Sequence, residues 1–303
     1  MEWFFQQLIN GLALGAIYAL IALGYTMVYG VLRFINFAHS DVLMLGAFAA
    51  YFLAPGIGKF FPPQSFLGAF VITILAAALC AVIGMTIEFL AYRPLRKRPK
   101  LTVLITAIGV SLFIEFTAQH KGVFGSGTRA FPQLLPMKDF HFGPLVMNSN
   151  DVVVLVTTVI LLAILWFIVQ HTKIGTAMRA VSFNMQAASL MGVNVNRVVS
   201  FTFGLGSALA AIAGILYAMK APGIEPLMGI QPGLRAFIAA VLGGIGNLPG
   251  AALGGIVLGV VETFAGGIPG VSNYRDGIAF AMLIAILIFR PTGLLGKGQI
   301  EKV

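Results

Sequence analysis

The sequence predicts an all-α polytopic membrane protein with about eight to nine membrane-embedded helical segments, some of them short or broken. Of its 303 residues, 59% are hydrophobic and only 10% are charged, whereas soluble domains carry about 25% charged residues. Several apolar runs are long enough to cross a bilayer, which takes roughly 20 residues in a helix. The sequence lacks the alternating segments of about ten residues that characterise a membrane β-barrel.

Four apolar segments follow one another in the first half of the chain. They cover residues 7–32, 42–53, 66–92 and 101–118. Between the third and the fourth, the run "RPLRKRPK" contains five basic residues and no acidic one. Because Lys and Arg concentrate in cytoplasmic loops, this connection is predicted to be cytoplasmic, and the fourth segment then runs outward.

The second half begins with a long loop of mixed charge, residues 119–150, expected on the outer side. Further spans are predicted at 151–170, 199–219 and 277–289, and residues 171–198 form a cytoplasmic loop between the first two of them. The basic tail 290–303 places the C-terminus in the cytoplasm. Residues 1–303 are expected to form a single transmembrane domain.

The run 236–264 admits two interpretations. It is long enough for one tilted helix, but "GGIGNLPGAALGG" interrupts it with glycines and a proline, which weaken helix interiors. We therefore prefer a broken hairpin. With a hairpin here, the N-terminus lies outside and the C-terminus inside.

The residues needed for catalysis or cofactor binding are not arranged as such sites. "GLLGKGQ" lacks the spacing and the Ser/Thr of a phosphate loop, and the four histidines have no second ligand at helical spacing. The net charge of +9 lies mainly at the ends of apolar runs, which indicates membrane orientation rather than nucleic-acid binding. We expect no cofactor or metal on this chain, and we interpret the N-terminal run as a retained first helix.

Polar residues within apolar runs are costly in lipid and often mark a transport pathway. Glu88, Glu115 and Glu262 each lie close to a predicted helix end, and we expect them to reach the membrane interface. The string "INFAHSD" places Asn36, His39 and Ser40 at the start of a short segment. Discontinuous helices with polar residues at their start build transporter sites, so these three are candidates for the translocation path.

Glycines spaced four apart occur in "GLALG", "GAALG" and "GIVLG". Such pairs remove side chains from one helix face and favour close packing of helices in a bilayer. A second interpretation applies to "GGIGNLPG", which we expect to be an unwound element lining the path or facing a partner. Gly243, Gly244 and Gly246 are therefore further candidates for the path.

The loop 171–198 carries an apolar face at helical spacing, formed by Ile174, Met178, Val181, Met185, Ala188 and Gly192. The pattern predicts a single amphipathic helix followed by a Gly-Val-Asn turn. Such a helix either lies flat at the membrane interface or docks into a groove of a soluble partner, where Met side chains are adaptable anchors. Amphipathicity alone leaves both interpretations open.

A resemblance separates these two interpretations. "QAASLMG" is similar to the E-A-A-x-x-x-G signature of ABC importer permeases, with Gln186 in place of the acid and no I-x-L-P after it. The chain also contains, in order, "ALIALGYTMVYGVLRFINFAHSDVLMLGAF", "EFLAYRPLR", "GTAMRAVSFNMQAASLMGVNVNRV", "AAVLGGIGNLPGAALGGIVLG" and "RPTGLLG". Together these motifs resemble the H-type permease subunit of the branched-chain amino acid (LIV-type) ABC importers, over essentially the whole chain.

The resemblance implies an importer subunit in a bacterial cytoplasmic membrane. Its expected partners are an M-type permease subunit, two cytoplasmic ATPases that hold ATP and Mg²⁺, and a periplasmic substrate-binding protein. Coupling to the ATPases is expected through the loop at Gly175, Met178, Arg179, Val181, Met185, Gln186, Ala187, Ala188 and Gly192. The alternatives are a stand-alone secondary transporter or channel, and the same architecture carrying urea, short amides or other amino acids.

Overall fold

The computed structural model describes residues 1–62, 64–96 and 98–296. Within these ranges the chain folds into helices α1 (Glu2–Leu32), α2 (His39–Ile57), α3 (Phe66–Ile87), α4 (Lys100–Gln119), α5 (Ser149–His171), α6 (Lys173–Phe183), α7 (Met185–Leu190), α8 (Val195–Lys220), α9 (Ile230–Gly243), α10 (Leu248–Gly267) and α11 (Arg275–Phe289). A π-helical turn (Glu88–Tyr92) and a 3₁₀ turn (Arg93–Leu95) extend α3. Among the described residues, eight helices are long and apolar enough to span a membrane.

Helix α1 lies at the centre of the bundle, where α5, α8, α9 and α10 pack around it. A Cβ atom on Gly15 would lie 2.7 Å from the Cα atom of Ile256 in α10, so only glycine permits this approach. The predicted close packing through spaced glycines is confirmed for this helix pair. Helices α4, α5 and α11 lie at the periphery, since their apolar windows are only 17%, 17% and 6% buried.

The run 236–264 forms a hairpin, as we preferred. Gly243 lies against Gly250 and Ala239 against Gly254, so α9 and α10 are antiparallel. Asn247 caps α10 through its side chain, which accepts from the backbone N–H of Gly250. Helix α9 begins at Ile230, earlier than expected, because its first turn accommodates Pro232.

Long-range contacts define the two ends of the bundle. At one end, which we call the strand end, β1 (Arg129–Ala130) pairs with β4 (Gly223–Ile224), and β2 (Asp139–Phe142) pairs with β3 (Leu145–Asn148), both antiparallel. Gln6 of α1 exchanges two hydrogen bonds with the backbone of Val146 there. The predicted loop 119–150 therefore lies at the same end as the start of α1.

At the opposite end, which we call the basic end, α1 finishes beside α6. In the described part of the chain, the connections at this end contain no Asp or Glu, and its cations are Arg33, Arg93, Arg96, Arg98, Lys100, Lys173, Arg179, Arg197 and Arg290. The strand end mixes Lys and Arg with Asp139, Asp151, Glu225 and Asp276. Lys97 of the basic run and residues 297–303 of the C-terminal tail lie outside the described residues.

Candidate functional site

The connection between α1 and α2 turns back into the bundle, so that α2 begins below its surface. The ring of His39, the first residue of α2, contacts Gly24 and lies tilted against the ring of Tyr25, with ring centroids 4.7 Å apart. Gly24 precedes the end of α1 by eight residues, which places this junction about 12 Å along the helix axis at 1.5 Å per residue. The predicted discontinuous helix start is thus present.

The start of α9 meets the start of α2 at this junction. Gly229 and Gly233 pack directly on Ser40, with a Cβ atom on Gly233 falling 2.4 Å from the Cβ atom of Ser40. Helix α9 has 14 residues and rises only about 21 Å, less than the ~30 Å of a bilayer core. The N-termini of α2 and of the short helix α9 therefore meet inside the bundle.

Polar side chains surround this junction. The hydroxyl of Tyr92, in the π-helical turn, donates to Oδ1 of Asn36 at 2.6 Å, and Ser111 of α4 donates to the carboxylate of Asp41 at 2.6 Å. The side chain of Ser40 donates to the carbonyl of Phe37 at 2.9 Å. Asn36, His39 and Ser40 are buried, and the junction is closed in this conformation.

The two groups of predicted path residues lie apart. Gly243, Gly244 and Gly246 lie at the basic end, where the C-terminal segment 290–296 covers the end of α9. The N–H groups of Leu294 and Leu295 donate to the carbonyls of Leu242 and Gly243, which have no partner within the helix. The glycine motif and "RPTGLLG" therefore pack on each other at the basic end, and the glycines have a structural role there.

Buried charges form a network that the sequence did not reveal. Arg235 of α9 pairs with Glu262 of α10 at 3.0 Å and with Asp276 of α11 at 2.7 Å, and it donates to the hydroxyl of Tyr18 at 3.1 Å. The expectation that Glu88 and Glu262 reach the interface is wrong, because both side chains are buried and paired. Glu88 accepts from Arg96 and, at 2.6 Å, from Ser200.

The loop 171–198 contains two helices, α6 and α7, and the prediction of a single helix is wrong. Asn184 separates them in an extended conformation (φ −153°), and its side chain accepts from the backbone N–H groups of Gln186 and Ala187, each at 3.0 Å. Asn is among the strongest N-cap residues. A new helix therefore starts after it.

The apolar face of this loop faces the chain itself. Met178 and Val181 are 3% and 2% exposed, Ala188 is buried and Met185 is half-buried. Gly175 packs on the backbone of Ile168 and Val169. The expectation that Met178 and Val181 are offered to a partner is wrong, because both side chains are buried within this chain, where α6 packs on α1, α5 and α8.

Other residues of the same loop are exposed. Phe183, Leu190 and Met191 are 87%, 88% and 84% exposed, and we call these three side chains the apolar patch. Gln186, Ala187 and Gly192, with Arg179, are exposed beside it. The patch lies at the basic end, and α6 is attached to α1 because Arg33 donates to the carbonyl of Ser182 at 3.3 Å.

Comparisons with known proteins agree with this geometry. The family model described as "Branched-chain amino acid transport system / permease component" matches residues 7–287. The chain is 41% identical, over 308 residues, to the high-affinity branched-chain amino acid transport system permease protein BraD of Pseudomonas aeruginosa, covering 99% of this chain and 98% of that protein. LivH permease proteins of Salmonella typhimurium and Escherichia coli are 39% and 38% identical, with the same coverage.

A family model that matches nearly the whole span of the bundle, together with full-length relatives, shows the family directly. The ordered motifs that suggested this resemblance all lie within the matched residues except the last, "RPTGLLG". The chain belongs to the permease components of branched-chain amino acid transport systems and resembles their H-type members throughout its length.

Proposed function

We propose that this chain is the transmembrane permease subunit of an ATP-driven importer for branched-chain amino acids. The observation that carries the proposal is the full-length similarity to permease proteins named for that substrate class. The apolar patch at one end of a bundle of membrane helices supports it, because such a patch on a polar connection marks a surface for a soluble partner.

The basic end faces the cytoplasm in this proposal. Its connections carry cations and, in the described ranges, no carboxylate, and that is the asymmetry by which membrane proteins are oriented. Segment 290–296, which covers the end of α9, then lies on the cytoplasmic side. The N-terminus and the strand end face outward. In this proposal the C-terminus lies on the cytoplasmic side as well.

One of the two cytoplasmic ATPases docks at the apolar patch in this proposal. Phe183, Leu190 and Met191 supply anchors, while Met178 and Val181 hold α6 on the bundle. Closure of the ATPases pulls α6, and the link between α6 and Arg33 passes the movement to α1. Because α1 carries Gly24 against His39, that movement reaches the closed junction between α2 and α9.

The remaining partners complete the importer. An M-type permease subunit covers an apolar side of this chain, and a periplasmic binding protein docks at the strand end. ATP and Mg²⁺ are bound by the ATPases, and this chain performs transport without hydrolysing ATP itself. The coupling surface consists of the apolar patch with the exposed residues Arg179, Gln186, Ala187 and Gly192. Gly175, Met185 and Ala188 contribute to coupling by holding the loop on the bundle.

Reconstitution tests the proposal. Proteoliposomes holding this chain with its permease partner, ATPases and binding protein are expected to take up labelled leucine only when ATP is present inside. Omission of any partner, or replacement of ATP by a non-hydrolysable analogue, is expected to abolish uptake. Ion-driven leucine uptake by this chain alone would instead identify a secondary transporter, and ATP-driven uptake of urea or short amides without leucine would change the substrate class.

A further inference from the structure

A cavity of about 450 Å³ opens at the strand end between α1, α5, α8 and α10. Its volume falls within the range of about 300–1,000 Å³ that is typical of small-molecule sites. Leu14, Met137 and Met219 form an apolar part of its wall, and Asn150, Asp151 and Lys220 contribute polar groups. The proposed path residues at the α2–α9 junction do not line it.

Two opposite charges share the wall of this cavity. Lys220, at the end of α8, and Asp151, in the first turn of α5, lie with Nζ and Oδ1 2.6 Å apart. Both side chains keep some exposure, 30% for Lys220 and 14% for Asp151. A zwitterion brings one carboxylate and one ammonium, so it matches a wall that presents one ammonium and one carboxylate.

The side chain of Asn150, beside the ion pair, contains a hydrogen-bond acceptor without a donor among the described residues. Its Nδ2 donates to the carbonyl of Met219 at 3.1 Å, but Oδ1 has no hydrogen-bond partner among the described residues although the residue is only 7% exposed. Leaving a buried acceptor unpaired is unfavourable.

A purely structural explanation covers only part of these observations. Asp151 near the start of α5 and Lys220 near the end of α8 are each favourable to the helix dipole, and their ion pair joins the two helices. That explains the charges. It does not explain the open volume beside them.

We propose that this cavity is an entry subsite for the α-amino acid group of the substrate, an inference that rests on the proposed function. Lys220 binds the carboxylate of the substrate, and the carboxylate of Asp151 accepts hydrogen bonds from its ammonium. The aliphatic side chain of the substrate contacts Leu14, Met137 and Met219. The subsite thus recognises the zwitterion and tolerates leucine, isoleucine and valine alike.

Equilibrium binding of labelled L-leucine tests the subsite without the binding protein. The complex of permeases and ATPases, held in lipid nanodiscs, is expected to bind leucine saturably. Excess valine competes, whereas isocaproate, which lacks the ammonium, and isoamylamine, which lacks the carboxylate, do not. Lys220→Met and Asp151→Asn are expected to weaken binding about 10- to 100-fold, because each loses a charge-assisted hydrogen bond.

Matched variants separate binding from folding. Glu225→Gln removes an exposed carboxylate at the same end that is not part of the cavity wall, and it is expected to bind leucine as the wild type does. Lys220→Arg keeps the charge and is expected to retain most of the affinity. Leu14→Trp fills the cavity without touching the ion pair, and it is expected to abolish binding even if Lys220→Met fails to assemble.

Two results would overturn the subsite. One is the absence of saturable leucine binding to the wild-type complex, and the other is wild-type affinity in Leu14→Trp or in an assembled Lys220→Met complex. Uptake by the complete wild-type importer is measured in parallel. If the wild-type importer takes up leucine with ATP and either result is obtained, only the subsite proposal is contradicted. If the wild-type importer shows no uptake, the proposed function is contradicted.

Discussion

Arg33 and Ser182 join the end of α1 to α6 by two hydrogen bonds in opposite directions. The guanidinium of Arg33 donates to the carbonyl of Ser182 at 3.3 Å, and the hydroxyl of Ser182 donates to the carbonyl of Gly30. The carbonyl of Gly30 belongs to the last turn of α1, where carbonyls lack a partner within the helix. The proposed docking loop is therefore attached directly to the central helix.

Ser182→Ala removes one of these two links. In the reconstituted importer, we expect ATP-driven leucine uptake to fall about twofold to twelvefold, the equivalent of the roughly 0.5–1.5 kcal/mol that one hydrogen bond contributes. Co-purification of the ATPases is expected to stay unchanged, because Ser182 is not part of the apolar patch. Ser189→Ala, an exposed serine in α7, serves as the control, and an equal loss of uptake in that variant would contradict the link.

Phe183→Asp and Met178→Asp are expected to act in different ways. Phe183 is exposed and Met178 is buried, so the first change places a charge on the docking surface and the second places one inside the bundle. Phe183→Asp should reach the membrane at wild-type levels without retaining the ATPases. Met178→Asp should lower the membrane level itself, as seen by immunoblot and by size-exclusion chromatography in detergent. Equal membrane levels with equal ATPase retention in both variants would contradict this assignment of the two faces.

The network around Arg235 predicts that losing the cation lowers stability more than losing its exposed carboxylate partner, Asp276. Arg235→Met leaves Glu262 buried without its cation, which costs about 3–5 kcal/mol of stability. Asp276→Asn affects a partner whose side chain is 56% exposed, and exposed pairs contribute only about 0–1 kcal/mol. Thermal unfolding in detergent measures both variants.

The double variant Arg235→Met with Glu262→Met provides the control for that prediction. It removes both charges, so it is expected to regain much of the stability that Arg235→Met loses. A double variant as unstable as Arg235→Met, or a wild-type melting temperature in Arg235→Met, would show that the buried pair is not what stabilises this region.

Gly244→Ala tests the contact between the α9–α10 turn and the C-terminal segment. Gly244 has φ +105°, and a Cβ atom there would lie 2.7 Å from the backbone nitrogen of Gly296. We expect a loss of about 1–3 kcal/mol from the backbone conformation alone, measured as a lower melting temperature. Gly56→Ala is the matched control, because nothing lies within 4 Å of its Cβ position. Equal melting temperatures in the two variants would contradict this role.

Much of the bundle was predictable because apolar length and glycine pattern act locally. The span ending at Leu32, the long helix before Tyr92 and the α9–α10 hairpin followed from hydropathy and from helix-breaking residues. The residue Asn184 itself also indicated a break between two helices, because Asn favours helix N-caps. The apolar periodicity continued across Asn184, and for that reason it suggested a single helix.

The partners of buried groups were not predictable in the same way. Periodicity identifies the apolar face of α6, but only the packed bundle decides that Met178 faces α1, α5 and α8 rather than another protein. Arg235 and Glu262 lie on different helices, and Arg235 was assigned to a connection because α9 was expected to begin one residue after it. In the sequence, Asp151 and Lys220 are ordinary charges at predicted helix ends. Only the fold shows that both lie on one cavity wall.

Cysteine cross-linking tests most directly whether α6 and α7 carry the ATPase docking surface. Cys80 is the one cysteine of the sequence, so Cys80→Ala provides a background for Phe183→Cys, Leu190→Cys and, at the strand end, Phe142→Cys. In the assembled importer we predict cross-links to the ATPase from positions 183 and 190 and none from position 142. Cross-links from position 142, or none from 183 and 190 in an importer that transports leucine, would contradict docking at the apolar patch.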